Sequence, residues 1–339
     1  MITAQAIRNY GKKSGVDEIR ITSARPFTEV SQRINEQIKN HLYLDSEHWH
    51  RRSVQKFCDV HSRLPDAKSI VAGCLCYLTD EPEDYTQPGK PHGLVARYTW
   101  RNHYLELKKR LHKLARFLQK EYRASYRVYS NGPIAEKPIA QRSGLGYYGK
   151  HSIIMNPVYG SWIVLGEIVT DIEIEPDKPL NIDCGKCKKC IEACPTKAIT
   201  SPYIIDRRRC IQALTNWPGI IPEDILRVWS NRLYGCTTCQ EVCPVNKKVK
   251  ALEPRTKLGD VGSSLPLMEI LGMDEQEYRS RYANNQLSRT WINFKAIQRN
   301  ALVALGYLRD KTTLSVIKSF IKDDDEMLAK TSQWALDQF

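Results

Sequence analysis

Residues 184–195 read CGKCKKCIEACP, with Cys184, Cys187, Cys190 and Cys194 followed at once by Pro195. This C-x2-C-x2-C-x3-C-P run is the spacing by which bacterial ferredoxins hold a [4Fe-4S] cluster. It recurs in stretched form as Cys210, Cys236, Cys239 and Cys243, again followed by a proline, Pro244. In two-cluster ferredoxins the fourth cysteine of each run serves the other cluster. On that logic Cys184, Cys187, Cys190 and Cys243 hold one cluster, and Cys194, Cys210, Cys236 and Cys239 hold the second. Zinc also uses CxxC pairs, but the four-cysteine run with its proline, repeated, fits clusters better. A ferredoxin of this kind needs only a fraction of 339 residues. The pair of clusters therefore reads as a wire that serves the rest of the chain.

The composition bounds what that rest can be. With 42% hydrophobic and 26% charged residues the chain reads as globular. No stretch approaches the ~18 apolar residues of a membrane span. The opening MITAQAIRNYGKKSG has no apolar core of a signal peptide, so a cytoplasmic protein without membrane attachment is expected. A formal net charge of +13 favours polyanionic partners, nucleic acid first among them. Eleven cysteines in a reducing compartment point to metal ligation. The three outside the cluster runs, Cys58, Cys74 and Cys76, fall in apolar surroundings and read as core residues.

Residues 1–175 read as α/β. A helix over AQAIRNYGKK is stopped by Gly15 and followed by a strand around Ile19 to Thr22. EVSQRINEQIKNHLYL reads as a helix and SIVAGCLCYL as a buried strand. From Tyr104 to Tyr122, Leu107, Leu111, Leu114, Leu118 and Tyr122 recur at helical steps, with Lys108, Lys109, Arg110, Lys113, Arg116 and Lys120 on the other face. RVYSNGP is a strand entering a turn, Glu136 to Ser143 a helix, and SWIVLGEIVTDIEI a strand pair. Gly144, Gly146 and Gly149 match G-x-G-x-x-G in form. A dinucleotide fingerprint follows a strand and opens a helix; here a helix precedes and a strand follows. These glycines are expected to let the backbone approach a flat cofactor. Residues 176–250 form the cluster segment. After the basic linker NKKVKALEPRTK, residues 251–339 read from Leu265 as helix only, with a repeat-like pair around RNALVALG. Arg289, Lys295 and Arg299 are candidates there to face an RNA backbone.

These stretches resemble the epoxyqueuosine reductase family, which acts in queuosine synthesis in tRNA. The likeness is carried by EKPIAQRSGLGYYGKHSIIMNPVYGSWIVLGEIVTDIEI, CGKCKKCIEACPTKAI, IDRRRCIQALT, NRLYGCTTCQEVCPVN and RNALVALG. It implies a nitroreductase-like cobalamin domain over 1–175, a double [4Fe-4S] ferredoxin domain over 176–250 and HEAT-like helices over 251–339. It also implies cobalamin, two [4Fe-4S] clusters, a tRNA substrate, an external donor such as a flavodoxin or ferredoxin, and a monomer. Corrin contacts implied by the family fall on Arg97, Ser152, Met155, Asn156, Leu165, Thr215 and Thr237, mostly through backbone.

The chain departs from the family in two places. The V-D-[ST]-[GA]-P pattern, whose aspartate is taken as the proton donor, reads Tyr129-Ser130-Asn131-Gly132-Pro133. A serine hydroxyl is too weak an acid to replace it unaided. Tyr129 can replace it only if the turn re-aims its ring, since neighbours on a strand face opposite ways; Glu136, shared with the family, is the other candidate. The family's Y-A-R-G-R-D-Y-H stretch reads Tyr98 to Leu105 with His103 inside it, a side chain that can titrate near neutral pH. These changes leave a second reading open, the same cofactors and fold acting on a small molecule. A third is an electron-transfer or RNA-binding protein without catalysis, against which the eight retained ligands argue.

Overall fold

The computed structural model describes residues 3–44 and 53–339. The first stretch comprises α1 (Ala4–Lys13), β1 (Glu18–Ser23), α2 (Thr28–Lys39), α3 (Val54–Cys58), β2 (Ser69–Cys76), β3 (His92–Val95), α4 (His103–Tyr122), β4 (Tyr126–Tyr129), α5 (Glu136–Arg142), β5 (Tyr147–Tyr148), β6 (Ile154–Met155) and β7 (Ile163–Thr170). Among the described residues, β1, β2, β7 and β4 form a sheet in that order, each neighbouring pair antiparallel. The two inner strands are buried at every position. Their sequences, SIVAGCLC and IVLGEIVT, are accordingly near-continuous apolar runs without alternation. Cys58, Cys74 and Cys76 lie in this core.

Helix α4 covers one face of the sheet with Leu107, Leu111, Leu114 and Leu118, all fully buried. Tyr122, expected on the same face, stands on the surface at 38% exposure, because the helix ends at Arg123 in the left-handed conformation, φ 56°. The strand pair expected over 161–174 is one strand. Beyond Thr170 the chain leaves the sheet: Ile174 N–H donates to Ser69 Oγ and Asp177 receives Ile21 N–H. Helix α2 also stops short, at Lys39 rather than Leu44.

The cluster stretch is made of short pieces: α6 (Lys189–Glu192), β8 (Ile199–Ser201), β9 (Ile204–Ile205), α7 (Ile211–Leu214), α8 (Glu223–Leu226), β10 (Arg232–Tyr234) and α9 (Thr238–Glu241). The C-terminal stretch follows as β11 (Ser264–Pro266), α10 (Leu267–Gly272), α11 (Glu275–Arg281), α12 (Phe294–Leu308), α13 (Leu314–Ser319) and α14 (Glu326–Leu336). It is helical apart from β11, which the sequence did not announce. That strand lies antiparallel on β3, and β10 lies parallel on the other side of β3. One small sheet thus takes a strand from each of the three stretches.

The three stretches are locked together by buried polar side chains. Arg299 is fully buried. Its guanidinium donates to the carbonyl oxygens of Leu214 at 2.6 Å, Trp217 at 2.5 Å and Gly219 at 2.7 Å. Neighbouring Asn300 donates to the carbonyls of Thr215 and Leu233. Arg299 is therefore not an RNA contact: its charge fastens α12 to the stretch after Cys210. Of the other two candidates, Arg289 is half-buried, and exposed Lys295 pairs with Asp325. On the opposite side, Gln240 and Asn246 both donate to Ser161 Oγ, docking the second cysteine run onto the α/β core.

Candidate active site and cluster segment

The eight cysteines sort into two groups of neighbours. Burial pushes the Cys184 and Cys190 thiols up, and the nearby Cys187 and Cys243 add to the effect on both. Burial likewise raises Cys210 and Cys239; Cys236 acts on both, and Cys194 is also near Cys239. These neighbours overlap the sets expected from crossed ferredoxin runs. Cys190 also bears on Cys239, so the sets adjoin. Helices α6 and α9, each a single turn carrying the third cysteine of one run (Cys190, Cys239), pack against each other. Among the described residues no three His, Cys, Asp or Glu side chains gather as a single-ion site. The donor type, eight thiols within one stretch, suits two four-iron clusters. Lys150, itself buried, donates to the carbonyls of Gly185 at 2.5 Å and Cys187 at 2.9 Å, tying the first loop to the α/β core. Cys187 is exposed, while Cys190 is buried and the others are intermediate.

A cavity of 1230 Å³ opens where the three stretches meet. The α/β stretch contributes Tyr98, Tyr104, Glu136, Lys137, Tyr148 and Ser152 to its wall; the cluster stretch contributes Gln212, Asn216 and Trp217; the C-terminal stretch contributes Arg279, Trp291 and Lys295. Gln212 lies two residues beyond Cys210, so one cluster ligand stands just behind the wall.

The positions singled out in the sequence have different fates. Ser152 lines the cavity; Arg97, Met155, Asn156, Leu165, Thr215 and Thr237 are not among its lining. Arg97 pairs with Glu83, donates to Thr79 O and lies over the Trp100 ring. Asn156 Nδ2 donates to Glu18 and to Leu145 O. Thr215 Oγ1 donates to Gln212 O and receives Gly235 N–H, while Thr237 Oγ1 is held by Glu241. Met155 is fully buried in β6, and Leu165 in β7 is 8% exposed. The glycines Gly144 and Gly146 bring the chain close to itself. A Cβ on Gly144 would stand 2.3 Å from Lys178 O, and one on Gly146 2.7 Å from Met155 O. The close approach that they allow is of the chain to itself.

On the proton side, Ser130 Oγ donates to Leu165 O at 2.7 Å, so its hydroxyl fastens the turn to β7. Tyr129 lies directly across from Glu167 in the β4–β7 ladder and is not in the cavity lining. Glu136, the first residue of α5, does line the cavity, and its Oε1 receives Gly132 N–H at 2.8 Å. Burial pushes the Glu136 carboxyl up, against the pull of the Gly132 and Asn131 N–H groups and of Lys137. Sequence reasoning passed over Glu167. It is 1% exposed, and neither carboxyl oxygen has a hydrogen-bond partner among the described residues. The signal was available, since Glu167 is the one charged side chain in the apolar run IVLGEIVT. His103 departs from expectation: it is 1% exposed, and burial holds its imidazole neutral, pulling its pKa down to about 3.

Fold and site together define a two-cluster iron–sulfur protein with a large cavity shared among its three stretches. Residues 183–246 match the family described as "4Fe-4S double cluster binding domain", and residues 58–131 match "Epoxyqueuosine reductase QueG, DUF1730". An epoxyqueuosine reductase of Bacillus cereus is 33% identical over 98% of this chain and 88% of its own length. The Escherichia coli epoxyqueuosine reductase is 32% identical, with 99% and 89% covered. An epoxyqueuosine reductase solved with an epoxyqueuosine-modified tRNA stem loop is 31% identical, at a TM-score of 0.89 over 98% of this chain and 89% of that one. The Bacillus subtilis structure, 30% identical with a TM-score of 0.88 over 98% and 89%, is described with its catalytic aspartate loop swung out of the active site. The chain belongs to the epoxyqueuosine reductase family.

Proposed function

We propose that this protein reduces epoxyqueuosine to queuosine in tRNA, with electrons carried by two [4Fe-4S] clusters to cobalamin in the shared cavity. The observation that carries this reading is that one cavity is walled at once by the α/β stretch, the stretch bearing Cys210 and the C-terminal helices. Electrons, cofactor and a bulky substrate can meet there. The fit to a large flat cofactor rests on size and lining: ordinary ligand pockets span ~300–1,000 Å³, this one reaches 1230 Å³, and Tyr98, Tyr104, Tyr148 and Trp217 offer aromatic faces. Cobalamin, when bound, supplies a strongly reducing metal centre able to break a carbon–oxygen bond. Ser152 in the wall would hold it, while the family's other positions, Arg97, Met155, Asn156, Leu165, Thr215 and Thr237, lie outside the lining.

On this reading residues 1–175 form the nitroreductase-like domain, 176–250 the ferredoxin domain and 251–339 the HEAT-like region. The exposed Cys187 marks where an external flavodoxin or ferredoxin would dock, and buried Arg299 holds the second ligand set against the cavity. Arg33, Arg279 and Lys295 in the cavity wall would meet the tRNA backbone. No helix among the described residues is long and apolar enough to cross a membrane, in keeping with a cytoplasmic monomer. Removing the epoxide oxygen as water takes two electrons and two protons. With the Ser130 hydroxyl committed to Leu165 O, the acid we assign is Glu136, which lies in the wall and is raised toward a protonated state at neutral pH.

The test is a single turnover of anaerobically reconstituted protein, with cobalamin and reduced clusters, on tRNA carrying epoxyqueuosine. Formation of queuosine is expected. No conversion, with the cobalt still reducible, would overturn the substrate and favour the small-molecule reading to which Ser130 points.

A further inference from the structure

Glu167 is out of place by every ordinary rule. It sits in the middle of the inner strand β7, opposite Ala72 on one side and Tyr129 on the other. A Cβ on its neighbour Gly166 would press on Leu111 of α4 at 2.7 Å, so Gly166 faces α4 and Glu167 faces the opposite side of the sheet. That is the side on which α5 packs against β7, with Glu136 at its first position. A carboxylate without a partner in such a place costs several kcal/mol. A natural sheet centre carries such a group when the group has work to do.

The two carboxyls are close enough for the charge of Glu136 to bear on Glu167, and burial pushes Glu167 well above the ordinary carboxylate range. The titratable groups bordering the pair are Lys137 on α5, Tyr104 at the start of α4 and Tyr129 on β4. Lys137 Nζ is turned to Ser152 O.

We propose that Glu167 is the proton reservoir of the active site, a buried carboxylic acid that reloads Glu136 from behind after Glu136 has given its proton to the cavity. The assignment rests on Glu136 being the acid of the proposed reaction. In the balance of that reaction, two electrons arrive from the external donor and two protons convert the epoxide oxygen to water. Glu136 gives the first proton and becomes a carboxylate. Glu167 passes its own to Glu136 through a bridging water, Glu136 gives that second proton, and water from the cavity then reprotonates both acids. Glu167 touches no reacting atom, so it is a positioning and supply residue. Neither Glu167 oxygen is held by another group among the described residues, so both are open to the water that bridges the two carboxyls.

The experiment compares wild type with Glu167→Gln and Glu136→Gln, as reconstituted holoenzyme. Infrared spectra at neutral pH should show the carbonyl stretch of a protonated carboxylic acid that loses intensity in Glu167→Gln. Turnover should fall roughly ten- to a hundredfold with KM for tRNA unchanged, less than the ~10²–10⁴-fold of losing the acid itself in Glu136→Gln. A third readout needs no turnover. The folded protein keeps the Glu167 proton where the unfolded chain has released it, so wild type loses stability as pH rises above about 4.5, and the thermal advantage of Glu167→Gln should widen from about pH 5 to pH 8. A wild type without the protonated-carboxyl band, or a Glu167→Gln variant with unchanged band and pH–stability curve, would overturn the reservoir. If wild type fails to turn over epoxyqueuosine, the substrate reading falls, while the infrared and stability curves still decide the carboxyl pair.

Discussion

The electron side and the proton side of this molecule are built by opposite means. The electron side is contiguous: all eight ligands lie between residues 184 and 243, in pieces of helix and strand only two to four residues long. Such pieces have little order of their own; their fold comes from cysteines that meet and from anchors such as Lys150, Gln240 and Arg299. The proton side is assembled across distance, from the turn after β4, the first residue of α5 and the middle of β7, at the edge of the hydrophobic core of the first stretch. A site made by ligand spacing tolerates no missing ligand. A site made by burial can exchange one acid for another, and on the proposed assignment of Glu136 this is how Ser130 can stand where the family pattern has aspartate.

The largest effect expected from breaking this contrast is on the electron side. Cys210→Ala should remove the second cluster, roughly half of the bound iron, and abolish reduction of the cofactor. Iron analysis with anaerobic spectroscopy checks it, and full iron content would refute the assignment of Cys210. An intermediate effect is expected from the clamp that joins the two sides. Arg299→Met leaves the Leu214, Trp217 and Gly219 carbonyls without their donor, at a cost on the order of 3 kcal/mol. Denaturant titration should show this, together with weakened iron retention, if the clamp holds the Cys210 stretch as its hydrogen bonds suggest.

The smallest effect sharpens the proton side. His103 is kept neutral by burial, with its pKa near 3 in the folded protein, against about 6.5 when unfolded. Its contribution to stability is therefore complete above about pH 6.5 and is lost as pH falls below that value. His103→Gln should flatten the acid side of the stability curve and leave the neutral side nearly unchanged; equal acid slopes in both proteins would refute a neutral buried imidazole.

Which features were legible follows from the same contrast. The cysteine runs declare themselves because cluster ligation is set by chain spacing. The helix from His103 and the strands at 69–76 and 163–170 do so because burial imposes a periodicity or an apolar run. Arg299, in RNALVALG's helix, misled because charge in a sequence suggests water. Arg299 instead spends its charge on three backbone carbonyls in the interior, a use that no local pattern announces. At Gly144 and Gly146 the close approach that glycine allows is one the chain makes to itself.

By itself the sequence determined the chemistry of the electron path, the α/β character of the first stretch, the family and the absence of an acid at position 130. Tertiary structure decided what lies next to what. It brought three stretches around one cavity, laid one strand of each into a shared sheet, and set Glu167 behind Glu136. The physical reason is that ligand spacing and burial periodicity are properties of neighbours along the chain. A proton's affinity depends on the water removed and the charges gathered around it, and those come from residues far apart in sequence.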